Sequence, residues 1–250
     1  MPYRTLDLAA AADYLHVTRN ELEQLVKTTE IPHQDRGGRI VFLRGELDAW
    51  ASQRILGLPP KRLAAYHQKS TQSTRAILAQ EALLPDLLQS NFIAAAMTSK
   101  TKKSVIRDLV ALAEATGRVM DPTDFLASVE AREQLCSTGL PGGLAILHCR
   151  NLQPYRFEDS FIVVGRTLQE IHFGAPDGRP TWLFFLICCQ DERIHLHTLA
   201  RLCLIMQKTT VVSRLLAAPD AATIYAELLA AEQSALADKK TPANPAAVVT

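Results

Sequence analysis

Three short apolar runs constrain this chain more than any other feature: Leu144–Leu147, Phe161–Arg166 and Trp182–Cys188. Each is rich in residues that suit a pleated, buried surface, and Pro176-Asp177-Gly178-Arg179-Pro180 supplies a turn between the last two. Helical periodicities surround them. Val105, Leu109 and Leu112 recur at helical spacing within Ser104–Ala115, Asp121-Pro122 opens a helix that runs to about Gln134, and helices at about His195–Gln207 and Ala221–Gln233 follow. With a further apolar run at Phe92–Met97, the pattern predicts an α/β domain over residues 81–235, a mixed β-sheet flanked by helices.

A smaller unit precedes it. Leu8, Ala11, Ala12 and Leu15 mark one helix and Leu22, Leu25 and Val26 a second, which Thr18-Arg19-Asn20-Glu21 opens as a capping box. Pro32 stops that helix, Gly37-Gly38 before Ile40-Val41-Phe42 reads as a hairpin, and a third helix covers Leu43–Arg54 with Leu47 and Trp50 inward. After Gly57-Leu58-Pro59-Pro60 the chain turns polar. Gln68–Thr74 holds no apolar residue, so residues 58–80 are expected to be a linker between a unit at 1–57 and the α/β domain, even if Lys61–His67 is briefly helical. Residues 236–250, rich in Ala, Pro and Lys, are expected to be a disordered tail.

The order helix, turn, helix, Gly-Gly wing, helix resembles the small winged helix-turn-helix domains of excisionases and the MerR group. The residues that carry the resemblance are L-A-A-A-A-D-Y-L-H-V-T-R-N-E-L, G-G-R-I-V-F and R-G-E-L-D-A-W. It implies that Arg19, Asn20 and Lys27, with Gln24, face bases or phosphates in a major groove, and that Arg36 and Arg39 follow the DNA backbone from the wing. Charge argues for restraint. Residues 1–62 carry nine Lys or Arg against eight Asp or Glu, and the whole chain is only +1, so a monomer neutralises few phosphates. Domains of this shape also dock proteins, which is the alternative reading of the first unit.

Arg132–Arg150 reads R-E-Q-L-C-S-T-G-L-P-G-G-L-A-I-L-H-C-R, a glycine-rich loop and an apolar run that end on His148. A neutral imidazole is a good nucleophile near pH 7 and suits reversible phosphoryl transfer. The loop is not a phosphate-binding Walker loop, because Leu144-Ala145 stands where Lys-Ser/Thr would be needed. Downstream, Asp191-Glu192-Arg193-Ile194-His195-Leu196-His197 brings a second imidazole to the start of a helix.

Over about Leu83–Gln233 these motifs, in this order, resemble the bacterial phosphotransferase-system IIA component of the fructose, mannitol and nitrogen branch. Leu147 stands where that family carries proline, and Cys149 where it carries Gly or Ala. The resemblance implies that His148 accepts a phosphoryl group from a phosphocarrier protein, so that no bound cofactor is needed. It also implies that His195 stands beside His148, and that Arg132 with Ser137 or Thr138 lines the same pocket. Preplaced donors and a guanidinium would stabilise the charged phosphoryl oxygens. The glycine loop is expected on the face that meets the donor. Such a chain is a phosphohistidine carrier rather than a turnover enzyme on a small molecule, and the two resemblances together imply a bacterial regulator whose DNA binding depends on phosphorylation. The alternative is a pseudo-IIA module that binds other regulatory proteins without taking phosphate.

Five cysteines without C-x-x-C spacing, three of them in apolar runs, read as reduced core thiols. His195 and His197 lie two apart on a helix and do not share a face, so no metal site is expected, and His197 reads as a solvated residue. Met1–Asp7 lacks the pattern of a signal peptide, and the longest apolar run, Trp182–Cys189, is far short of the roughly 20 residues that span a bilayer. The expected location is cytoplasmic, with no membrane contact and a possible homodimer on DNA.

Overall fold

The structure, a computed structural model, describes residues 5–74, 82–150, 153 and 155–237. The tail beyond Ala237 and residues 75–80 of the expected linker lie outside these.

Strand β1 (Thr5–Asp7) leads into α1 (Leu8–Tyr14), and α2 (Arg19–Lys27) follows after a tight turn. Strands β2 (Gln34–Asp35) and β3 (Ile40–Leu43) form the wing, and α3 (Arg44–Leu56) closes the unit. The three strands pair antiparallel in the order β1-β3-β2. Hydrophobic periodicity did not show β1, because three residues are too few to display an alternation. The wing turns at Gly37 and Gly38, whose φ angles of +64° and +82° need glycine. At the start of α2 the Thr18 hydroxyl accepts from Glu21 N (3.2 Å) and the Glu21 carboxylate accepts from Thr18 N (2.7 Å). Thr18→Ala is therefore expected to lower the stability of this unit by about 1 kcal/mol. The check is a shift in the urea midpoint, and an unchanged midpoint would contradict the cap.

The stretch expected to be a linker is instead α4 (Pro60–Thr74), a helix packed along the second domain. Its buried stripe is Leu63, His67, Ser70 and Thr74, spaced four, three and four apart. One member is apolar. A reading based on apolar spacing cannot see a helix whose inner face is polar.

The larger domain runs through α5 (Leu84–Leu87), β4 (Ile93–Met97), α6 (Lys102–Glu114), α7 (Pro122–Leu135) and the hairpin β5 (Gly139–Leu140) and β6 (Leu144–His148). It continues with β7 (Phe161–Ile171), β8 (Thr181–Cys188), α8 (Glu192–Lys208), α9 (Val211–Ala217) and α10 (Ala221–Ala237). The sheet order is β4-β7-β8-β6-β5, with β4/β7 and β6/β8 parallel and β7/β8 and β5/β6 antiparallel. This is the expected mixed sheet flanked by helices. Every residue of β6 is buried, as is all of β8 except the half-buried Trp182, because helices cover both faces.

Helix α8 lies on β8 on one side and against α3 and α4 on the other. His195 through Ile205 are buried without interruption, so the helix is enclosed around its whole circumference. The winged unit and the IIA-like domain therefore share an extensive contact.

Candidate functional site

Parallel pairing brings the C-terminal ends of β6 and β8 side by side, with His148 opposite Ile187. From β8 the chain passes through Asp191, whose carboxylate caps α8 by accepting from Arg193 N (2.8 Å) and Ile194 N (3.3 Å). The first turn of α8 thereby carries His195 over the end of β6. The His148 and His195 ring centroids are 5.1 Å apart, and both side chains are at most 1% exposed.

Hydrogen bonding fixes how His148 is used. Its Nδ1 lies 3.1 Å from the Ile146 carbonyl, which only accepts, so the ring proton sits there. The Nε2 lone pair is left to receive Arg132 Nε–H at 3.0 Å. Arg132 comes from the last turn of α7, is 2% exposed, and is held by Nη1 donation to the Cys136 carbonyl (3.0 Å). Two polar atoms here, Arg132 Nη2 and His195 Nδ1, are buried without a hydrogen-bond partner among the described residues. Native interiors rarely leave such groups unpaired unless something else is to meet them.

Burial pushes the His148 pKa well below its ordinary value, and the Arg132 charge, with the neighbouring His195, pushes the same way against the Ile146 carbonyl. Burial, then Arg132, lowers His195 to about 3. Both rings are neutral at pH 7, which leaves His148 Nε2 nucleophilic. Cys149 takes no part: burial raises its thiol to about 11.

The structure brings together three of the five residues expected at this site, His148, His195 and Arg132. Ser137 and Thr138 point elsewhere. The Thr138 hydroxyl donates to Glu133 (2.6 Å) and that of Ser137 to the Phe173 carbonyl (2.9 Å), so both tie β5 to its neighbours. The glycine loop also needs correction. Gly142 and Gly143, with φ of +93° and +83°, make the turn between β5 and β6, at the far end of β6 from His148. His197 is not solvated either: it is 1% exposed, stacked on His67 at 4.9 Å, with Nδ1 2.9 Å from the Ser70 hydroxyl. His195 and His197 thus turn to different partners, and no cluster of metal-ligating side chains occurs among the described residues.

Sequence reasoning missed the contribution of α3. The Ser52 hydroxyl lies 3.3 Å from His195 Nε2, and the buried Asp48 carboxylate accepts from the Tyr14 hydroxyl (2.9 Å) within the field of Arg132. Burial raises the Asp48 pKa to about 6, opposed by Tyr14, Arg132 and Arg44. A carboxyl whose folded pKa exceeds its unfolded value of 3.8 gives stability that is complete below that value and is lost as the pH rises through 6. Asp48→Asn is therefore expected to gain on the wild type between about pH 4 and 6, by at most about 3 kcal/mol, and to hold that gain above. Urea titrations of both chains at several pH values check this; a difference independent of pH would contradict it.

On the winged unit, Arg19, Lys27 and Arg39 line one groove between α2 and the wing. Asn20 is exposed outside it. Arg36 is also exposed and donates to the Gln34 side chain (3.0 Å), while Arg19 is paired with Glu23 (2.9 Å).

The mixed sheet flanked by helices has the phosphotransferase IIA fold. The chain belongs to the family "Phosphoenolpyruvate-dependent sugar phosphotransferase system, EIIA 2", whose model matches residues 86–231. A helix-turn-helix domain model matches residues 5–55. The chain is 27% identical over 137 residues to the fructose-specific EIIABC component of Bacillus subtilis strain 168, covering 54% of this chain but only 21% of that protein. It is 29% identical over 127 residues to a nitrogen regulatory protein of Pseudomonas aeruginosa, covering 50% of this chain and 80% of that one. The crystal structure of the nitrogen regulatory protein IIA-Ntr from Neisseria meningitidis superposes with a TM-score of 0.52 at 27% identity, over 57% of this chain and 97% of that one. IIA mannitol of Escherichia coli, 20% identical over 56% of this chain and 98% of its own, shares the fold at a TM-score of 0.50. No helix among the described residues is long and apolar enough to cross a membrane.

Proposed function

We propose that this chain is a phosphotransferase-system IIA-type regulator that accepts a phosphoryl group on His148 from a phosphocarrier protein and couples it to DNA binding by its N-terminal domain. The observation that carries the reading is the neutral His148 ring, with Nδ1–H committed to Ile146 and Nε2 turned to Arg132 and His195. In the transfer, the Nε2 lone pair attacks phosphorus and the bond from phosphorus to the carrier's leaving atom breaks, the carrier keeping that electron pair. Arg132 must then turn its N–H groups from Nε2 to the phosphoryl oxygens, for which Nη2 is unengaged among the described residues. His195, whose Nδ1 is unengaged among the described residues, offers a second donor in the tautomer in which that nitrogen carries the proton and Nε2 accepts from Ser52. The site needs no metal or resident cofactor for this chemistry. Incubation with phosphoenolpyruvate, the general phosphotransferase enzyme and the phosphocarrier should add one acid-labile phosphoryl mass. An unmodified mass, with a carrier shown to load another IIA protein, would overturn the reading.

For the DNA arm, the groove shared by Arg19, Lys27 and Arg39 supports contact with a duplex. Arg39→Ala is expected to weaken binding to every duplex and to flatten the salt dependence by about one unit of log–log slope, while Arg19→Ala relaxes sequence discrimination. So few cations make useful affinity a property of two copies on adjacent half-sites in a cytoplasmic homodimer. Gel shifts on a selected duplex at two salt concentrations check both. Binding that is absent at moderate salt and enriches no sequence would make the unit a protein-docking module.

A further inference from the structure

His148 is closed off in part by the chain's own helix-turn-helix unit, whose α3 reaches the neighbouring His195. His148, His195 and Arg132 are at most 2% exposed, so no donor protein reaches Nε2 in this arrangement. Helix α3, packed along α8, reaches the site itself, and α4, packed along the same helix, holds α3's unit in place through His197 and Arg201. Ser52 of α3 meets His195 at 3.3 Å; on α4, Ser70 meets His197 at 2.9 Å and His67 accepts from Arg201 Nε at 2.7 Å.

The contact is mixed: Ala51, Ile55 and Leu63 of α3 and α4 are buried in one cluster with Leu196, Leu199 and Leu202 of α8, and hydroxyls, imidazoles and a guanidinium meet beside them. Asp48 of α3 is also buried, with the Arg132 charge acting on it. A phosphate on His148 bears nearly two negative charges and would need both the Arg132 donors and room beside His195, where Ser52 of α3 stands. Arg19, Asn20, Lys27, Arg36 and Arg39 meanwhile remain exposed, so the cover leaves the DNA-reading face open.

We propose that α3 and α4 form a detachable cover over His148, and that docking of the N-terminal unit and phosphorylation of His148 are mutually exclusive. This rests on the phosphoacceptor reading above. The unphosphorylated chain holds its winged unit in one orientation against α8; the phosphorylated chain releases it, changing how two copies present their recognition helices to paired half-sites. Because the carrier sees only the open fraction, its apparent rate is reduced by that fraction.

The test compares the full chain with Ser52→Arg and Ser70→Arg, which wedge the cover from two different helices. Diethyl pyrocarbonate, which acylates accessible imidazoles, needs no carrier. His148 acylation, read by peptide mass, should be slow in the wild type and about tenfold or more faster in each variant, and phosphorylation by the loaded carrier should accelerate in parallel. Equal acylation in all three chains would overturn the cover. Faster acylation with no phosphorylation of any chain would overturn the phosphoacceptor reading, and the gate with it, while the cover stands. Where a variant fails to fold, the wild type alone decides: hydrogen exchange in α4 should quicken once His148 is phosphorylated. Unchanged protection on the phosphorylated chain would refute mutual exclusion.

Discussion

His148→Ala is expected to take phosphorylation by the loaded carrier to zero while leaving the fold in place, because this substitution removes the ring nitrogen whose lone pair faces Arg132. His195→Ala and Arg132→Ala should retain acceptor activity at a rate reduced by about a hundredfold, the usual cost of losing one preplaced donor to developing oxyanion charge. Time courses of intact mass separate total loss from slowing. Residual labelling of His148→Ala at the wild-type rate would move the acceptor elsewhere. Interpretation of the Ala variants also needs acylation or hydrogen-exchange data, since His195 contacts α3 through Ser52 and its loss loosens the cover as it removes a donor.

The largest stability effect is expected at Glu232→Ala. Arg201 on α8 and Glu232 on α10, both at most 1% exposed, pair at 2.5 Å, and the same carboxylate accepts from the backbone N–H groups of Leu83 (2.9 Å) and Leu84 (3.0 Å). Removing it leaves a buried guanidinium without its counter-charge and orphans two amides, a combination that costs about 3–5 kcal/mol. Glu232→Gln, which keeps an acceptor for the amides but not the charge, should fall between. Urea unfolding gives both values; a loss below about 1 kcal/mol would mean that the network relaxes onto other partners.

The contrast between these sites shows what the sequence makes legible. The central strands could be read because β6, β8 and the first half of β7 are apolar on both faces, and α2 because its cap obeys a local rule at Thr18 and Glu21. His148, Arg132 and His195 were found from motif order, which the parallel β6/β8 pairing turns into proximity. Ser137, Thr138 and the glycine turn were misassigned for a common reason. Closeness in sequence to His148 suggested closeness in space, yet the hydroxyls are consumed by Glu133 and Phe173, and the extended length of β6 separates the turn from the imidazole at its other end. Contact between the two domains left no signal at all. Beside the apolar Leu63, its buried residues include His67, Ser70 and Thr74 on α4 and His197 and Arg201 on α8, types whose usual place is the surface, so nothing in their spacing marks them as interior. Asp48 shows the same difficulty in one residue: a carboxylate in a helix reads as solvated until the partner that buries it is known.

The central claim is that Nε2 of His148 carries the phosphoryl group, and nitrogen-15 and phosphorus-31 NMR of the histidine-labelled, phosphorylated chain tests it most directly. With Nδ1–H held by the Ile146 carbonyl, the expected result is one phosphorus resonance coupled to Nε2 of His148, with Nδ1 still protonated. Coupling to Nδ1, or to the ring of His195, His197 or His67, would contradict it.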